Sequence, residues 1–360
     1  MTQVNKRIAI KVGSNVLTRK DGTLDVTRIS SLSDQLAQLM RNGYEVILIS
    51  SGAVAAGRSE LNNIPKLDAV QQRQLYSAVG QAKLINRYYE LFREHSIPVG
   101  QVLTTKESFG TRTHYLTQRS CIHTMLIQGV LPIINENDTI SVSELMFTDN
   151  DELSGLVATM MNCQQLILLS NVDGIYSGDP ESPETELLQK IDPAVDLSKY
   201  IQSGKSSFGR GGMLTKCQIA QKLADEGVEV IIANGTRSRI LLDLINEPNE
   251  TPCTRFPASL HPTSSIKKWI AHSDSFAKGI LVINKPAVEK LTSSEAVSLL
   301  PVGCVAINGT FKKNDIVEIH DEEGLLIGVG KVQYDSEKAT SVLGKRGARP
   351  LVHYNYLYME

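Results

Sequence analysis

Between Ile134 and Glu152 the chain crowds carboxylates and amides into two groups, Asn135-Glu136-Asn137-Asp138 and Asp149-Asn150-Asp151-Glu152, with no Lys or Arg between them. Acids this close repel one another, so a metal, water or a cationic group must offset the charge. A calcium loop is excluded. Counted from Asp149, the fifth position is Leu153, the sixth Ser154 and the twelfth Met160, where an EF-hand needs a ligand, a Gly and a bidentate Glu. Amides and carboxylates at strand ends can instead bind the ammonium of an amino acid or orient lysines. For Glu144 and Glu152 a solvated acidic loop is the simpler reading.

Three further stretches are compatible with anion binding, although each taken alone reads as readily as a turn or a loop. "IAIKVGSNVL" sets Lys11 inside an apolar strand and follows it with Gly13 and Ser14. "ILISSGAVAAGR" leaves a strand at Ser50-Ser51-Gly52 and enters an Ala-rich helix. Small residues there admit backbone N–H groups close to an anion, although a tight βα turn also favours Gly and Ser. The third, "SGKSSFGRGGMLTK" over 203–216, is a Gly-rich run opening into a helix that carries Lys216. Loop, helix start and lysine together suit a polyphosphate; a surface loop is the bland alternative. A strand lysine such as Lys11 also serves in some sheets as an edge guard. Neither G-x-x-x-x-G-K-[ST] nor a strand-linked G-x-G-x-x-G is present, which excludes a Walker loop and a Rossmann fingerprint. His114, His123 and the other histidines lack ligand-like spacing.

These residues need elements to hold them. "RIAIKVG", "YEVILISSG", "IPVGQVLTT", "VLPIINEN", "QLILLSN" and "VEVIIANG" read as buried strands, with helical patterns over 29–40, 71–95 and 212–226. That alternation predicts an α/β domain with a mainly parallel sheet sandwiched by helices. In such sheets ligands bind beyond the carboxyl ends of the strands, where the residues above fall. Near Pro248 the pattern changes: four prolines occur by Pro262, marking the domain edge. "GILVIN", "CVAIN", "DIVEIH" and "LLIGVGKV" then predict a small β-rich domain of barrel type. The expected organisation is a catalytic domain over 1–258, a connector over 259–274 and a β domain over 275–360.

With 360 residues, 41% hydrophobic and 21% charged, the chain is long enough for two domains. A net charge of −2 offers no global attraction to nucleic acid or anionic membrane. Five scattered cysteines without a CxxC pair point to reduced thiols, and no signal peptide or membrane-spanning run is visible, so a cytoplasmic protein is expected.

Taken in order, "IKVGSNVLT", "SSGAVAAG", "INENDTI", "DNDELS", "VDGIYSGDP" and "GRGGMLTK" resemble the amino-acid kinase family. Within it "SSGAVAAGR", "INEND" and "GGMLTK" are most similar to the members that act on glutamate. "KGILVIN", "SLLPVG" and "GTFKKNDIVEI" look like a PUA domain. The resemblance implies ATP-dependent phosphorylation of the L-glutamate γ-carboxylate to L-glutamyl 5-phosphate, the first step of proline biosynthesis. It implies catalytic roles for Lys11 and Lys216, which flank the transferring phosphoryl group, and for Asp151, which orients them. Ser51, Gly52, Asp138 and Asn150 are the implied glutamate ligands, Asp138 for the α-ammonium. ATP contacts are implied for Lys11, Gly13, Ser14, Ser170, Asn171 and the run Arg210, Gly211, Gly212, Met213, Leu214, Thr215 and Lys216. Mg²⁺ is expected through ATP oxygens, with no metal ligand supplied by the protein. Feedback by L-proline, a homo-oligomer and transfer of the product to glutamyl phosphate reductase are implied in the same way. The chain departs from the family at Asn171, where Asp is usual, at Leu214, often Ser, and at "INKPA" in the small domain.

A different class of function is an RNA-binding or amino-acid-sensing protein acting through the PUA-like domain. From Ala271 to Glu360 there are ten Lys/Arg against eleven Asp/Glu, so that domain has no net basic character. Retention of both lysines and Asp151 argues against a silent sensor.

Overall fold

The computed structural model describes residues 6–61, 67–110, 112–141, 150–178, 185–192, 213–259, 277–292, 297–345 and 347–359. The chain divides into two compact units, Met1–Thr105 with Thr117–Pro262, and Lys106–Leu116 with Thr263–Glu360. Most of the expected connector, 259–274, lies outside the described residues.

In the larger unit the six apolar runs form strands: β1 Arg7–Val12, β2 Glu45–Ser50, β3 Val99–Thr104, β4 Leu131–Glu136, β5 Gln165–Ser170 and β6 Glu229–Asn234. Together with β7, Cys253–Phe256, they build one sheet in the order β3-β4-β2-β1-β5-β6-β7. All neighbours pair in parallel except β6 with β7. In β1, β2 and β4 almost every residue is buried, as expected for central parallel strands covered on both faces. β7 was not legible because it sits among prolines. Pro252 and Pro257 flank it, and an edge strand tolerates flanking prolines.

The described helices that precede β7 are α1 Ser14–Leu17, α2 Val26–Arg41, α3 Ala53–Arg58, α4 Ala69–Glu94, α5 Glu107–Gly110, α6 Arg112–Ile127, α7 Asn150–Met160, α8 Met213–Asp225 and α9 Ile240–Asn246, of which α5 and the start of α6 fall in the smaller unit. Asp25 caps α2, and Asp68 with Gln71 forms a reciprocal capping box at α4. α3 and α4 cross at very short range because Gly57 and Gly80 lie at the contact. A Cβ at Gly80 would sit 1.8 Å from the Ala53 carbonyl oxygen. The core of this unit packs Ile8, Ile10, Leu36, Leu48, Phe92 and Ile167 among others, each side chain contributing about 1.5–3 kcal/mol by burial.

In the smaller unit β8 Gly279–Ile283, β9 Cys304–Gly309, β10 Ile316–Asp321, β11 Leu326–Val332 and β12 Val352–Met359 form a sheet in the order β12-β11-β10-β8-β9. Only β8 and β10 pair in parallel. The sequence runs had marked β8 to β11; β12, rich in tyrosine, closes one edge. Leu281, Phe311, Val317 and Val352 lie in its separate core.

Candidate active site

The exits of β4, β2, β1 and β5 are adjacent in the sheet, although the strands are far apart in sequence. Strand order changes direction about β1, with β2 on one side and β5 on the other, which is where open α/β sheets form their ligand crevice.

Lys11 is the fifth residue of β1 and is almost fully buried. Its Nζ lies 2.6 Å from Asp151 Oδ1, and Lys216 Nζ lies 2.7 Å from Asp151 Oδ2. Asp151, in the first turn of α7, is completely buried, so each carboxylate oxygen holds one ammonium. Burial is the largest influence on Asp151 and would raise its pKa. Lys11, then Lys216, with their hydrogen bonds, outweigh it and hold the carboxyl at about 2. The residue is therefore a fixed anion near neutrality. Lys216 stands one turn into α8, as its spacing from the Gly-rich run required.

Gly13 follows β1 and donates its N–H to the Leu169 carbonyl on β5 at 3.1 Å. A Cβ there would lie 3.1 Å from that oxygen and 3.5 Å from Lys11 Nζ, so a side chain would crowd the ammonium. Ser14, exposed, begins α1. Gly52 precedes α3 with φ of +106°, a conformation that L side chains rarely adopt.

A second cluster lies at the exits of β2 and β4. Asn150 Nδ2 donates to Ser51 Oγ at 2.8 Å and to Asn135 Oδ1 at 3.1 Å, and Asn135 Nδ2 donates to Gln81 Oε1 at 2.9 Å. Asp138 and Glu136 are both buried. Arg73 on α4 donates from Nε to Asp138 Oδ1 at 2.9 Å and from Nη2 to Glu136 Oε2 at 3.2 Å, while Ser77 Oγ donates to Asp138 Oδ2 at 3.0 Å. Behind β2, Ser50 Oγ and the buried Tyr88 hydroxyl share a hydrogen bond of 2.8 Å. Asn135 belongs to the amide and acid group visible in the sequence, whereas Arg73, Ser77 and Gln81 were not singled out from it. Only the four-residue interval of the α4 trio, polar where the stripe should be apolar, could have flagged it.

At the β5 exit Ser170 Oγ lies 3.4 Å from the Oδ1 of the exposed Asn171. Two residues on, Asp173 takes a two-pronged contact from Arg237, Nε to Oδ1 at 2.6 Å and Nη2 to Oδ2 at 2.7 Å. Arg237 chiefly, against the opposing effect of burial, holds Asp173 below the usual carboxylate range. This pair ties the β5 exit to that of β6. A depression of about 420 Å³ beside α9 is lined by Arg237, Asp243, Glu247 and Glu250; three acids make it a poor seat for a polyphosphate. Met213 and Thr215 are half-buried at the start of α8, which Leu214 also joins. Arg210, Gly211 and Gly212, with Glu144 and Asp149, lie outside the described residues. Among the described residues no group of three or more His, Cys, Asp or Glu is arranged to hold a metal ion.

Two lysines paired through one buried carboxylate, beside a cluster of Ser, Asn and Asp side chains at a strand switch point, suit transfer of an anionic group to a polar acceptor. The model of the amino acid kinase family matches residues 6–234. The chain belongs to the amino acid kinase family. A PUA domain model matches residues 279–354, in the smaller unit. Over its full length the chain is 63% identical to the glutamate 5-kinase of Bacteroides thetaiotaomicron, covering 100% of both. It is 46% identical to that of Chlorobaculum tepidum over 99% of this chain and 98% of the relative. Among solved structures it resembles carbamate kinase from Giardia lamblia bound to AMP-PNP, with a TM-score of 0.50 at 17% identity over 71% of this chain and 99% of that one. An isopentenyl phosphate kinase substrate complex has the same score and identity over 70% and 99%. At such identity the two structures speak for the fold alone. Among the described residues no helix is long and apolar enough to cross a membrane.

Proposed function

We propose that the protein transfers the γ-phosphoryl group of ATP to the γ-carboxylate of L-glutamate, giving L-glutamyl 5-phosphate and ADP, the first step of proline biosynthesis. The observation that carries this reading is the Lys11–Asp151–Lys216 arrangement about a buried carboxylate; the full-length relatives named glutamate 5-kinase supply the acceptor.

In this reaction a carboxylate oxygen attacks the γ-phosphorus, and the bond from that phosphorus to the β,γ-bridging oxygen breaks. Nucleophile and phosphate are both anions, so the barrier is lowered by cations fixed in place beforehand. Lys11 and Lys216 supply two, and Asp151 holds both without side-chain freedom. The nucleophile is already deprotonated and needs no general base. An Asp151 carboxyl at about 2 fits an orienting role and not proton transfer. Ser51, Gly52, Asp138 and Asn150 bind glutamate. Gly13, Ser14, Ser170 and Asn171 bind the nucleotide with the segment 210–216, which includes Met213, Leu214 and Thr215. Bound through the ATP oxygens, Mg²⁺ would supply further neutralisation of phosphate charge. Proline feedback, a homo-oligomer, hand-over to glutamyl phosphate reductase and a cytoplasmic setting belong to the same reading.

The test incubates the protein with ATP, Mg²⁺ and a single amino acid, trapping acyl phosphate with hydroxylamine. Hydroxamate is expected with glutamate. Its formation with aspartate or N-acetylglutamate, and not with glutamate, would sink the assignment.

A further inference from the structure

Along one face of α4 run Arg73, Ser77, Gln81, Leu84, Tyr88 and Phe92, spaced by three or four residues. The C-terminal part of this stripe is buried apolar surface, with Tyr88 and Phe92 almost fully enclosed. The N-terminal part, where it passes the β4 exit, is polar instead. There Arg73 and Ser77 each hold a different oxygen of Asp138, and Gln81 holds Asn135. Stability does not require this: a buried ion pair is commonly replaced by packed apolar side chains without loss. What the polar contacts do supply is a fixed direction for the Asp138 carboxylate.

We propose that Arg73 and Ser77 are positioning residues for the amino-acid substrate, aiming the buried Asp138 carboxylate at its α-ammonium. The inference rests on the reading of Asp138 as a glutamate ligand. Arg73 bridges Asp138 and Glu136, two acids only two residues apart, and so ties the Asp138 carboxylate to the end of β4. Ser77 adds direction without charge. Its hydroxyl is buried, and replacement by alanine changes neither net charge nor helix propensity unfavourably.

Ser77→Ala and Arg73→Lys both keep the charge balance and alter the aim. Steady-state kinetics with the full-length enzyme should show the glutamate KM raised about tenfold in each, and up to about a hundredfold in Arg73→Gln, the range expected for a hydrogen bond to a charged group. The kcat and the ATP KM should stay within about twofold, because both residues act on the Asp138 side of the site, at the β4 exit. A purely structural role would lower the melting temperature and the active fraction without moving the glutamate KM. A glutamate KM within twofold of wild type in Ser77→Ala and Arg73→Lys overturns the proposal. So does a tighter glutamate KM in Arg73→Gln, the result if the cation merely opposed the ammonium. Should the Arg73 variants not fold, Ser77→Ala alone decides. A wild-type enzyme that makes no hydroxamate with glutamate fails the functional reading; normal wild-type turnover with an unmoved KM in the variants fails only the positioning role.

Discussion

Replacing Asp151 by Asn is the sharpest perturbation of the site. The amide keeps the shape of the carboxylate but removes its charge, and it turns one acceptor oxygen into an NH₂ donor facing a lysine. Two ammonium groups, 7% and 13% exposed, then share one neutral acceptor. Breaking a buried pair in this way costs about 3–5 kcal/mol. The carboxyl itself gives an independent figure. Held at about 2 against an ordinary 3.8, it favours the charged form in the folded protein by roughly 2–3 kcal/mol, at about 1.4 kcal/mol per pK unit. The two routes agree on about 2–5 kcal/mol, which for a unit of this size lowers the melting temperature by roughly 5–20 °C. Loss of aim for both lysines should reduce turnover about 10²–10³-fold, with glutamate binding less affected. Circular dichroism melts and the hydroxamate assay, run on Asp151→Asn and wild type, measure both effects. A melting temperature within 2 °C of wild type and turnover within tenfold would refute the reasoning, since neither lysine could then depend on this carboxylate.

Lys216→Ala should abolish most turnover, by about 10²-fold or more, yet lower the melting temperature less than Asp151→Asn, because Lys11 still pairs with Asp151; near-normal turnover removes Lys216 from the catalytic group. Gly80→Ala places a methyl 1.8 Å from the Ala53 carbonyl and 2.3 Å from the Gly57 nitrogen, so α3 must shift. Since Gly52 leads into that helix, a loss of about 1–3 kcal/mol should accompany a raised glutamate KM, read by denaturant unfolding and kinetics. Acid stability follows from the sign of the Asp151 shift. Its folded value, about 2, is below the ordinary 3.8, so the contribution is fully present above about pH 4 and is lost as pH falls through 2. Urea midpoints between pH 5 and 2 should show this component in wild type and lack it in Asp151→Asn.

Much of the larger unit was legible because central parallel strands are continuous apolar runs and their helices repeat every three or four residues. β1, β2, β4, β5 and β6 needed no tertiary information beyond that, and the residues at their ends were visible as interruptions: Lys11 within an apolar run, Gly52 before an Ala-rich helix, acids and amides after "LPII". β7 was hidden by its prolines, and the pattern over 71–95 gave the helix without the partners of its polar half. Spacing records which side of an element is buried, and it carries nothing about which distant side chain waits there.

The sequence by itself therefore determined all the strands but β7 and β12, the parallel sheet, the small β domain and the residue kinds gathered at the strand exits. Only the tertiary structure decided their partners. Sheet order puts the exits of β4, β2, β1 and β5 side by side, and so brings Lys11, Asp151 and Lys216, 140 and 65 residues apart in turn, within 2.7 Å of a shared carboxylate. The same packing brings Arg73 onto Glu136 and Asp138, the cation that the local sequence lacks. Charge compensation acts through space in a low-dielectric interior, so the residues that balance a buried acid are chosen by the fold and not by proximity along the chain.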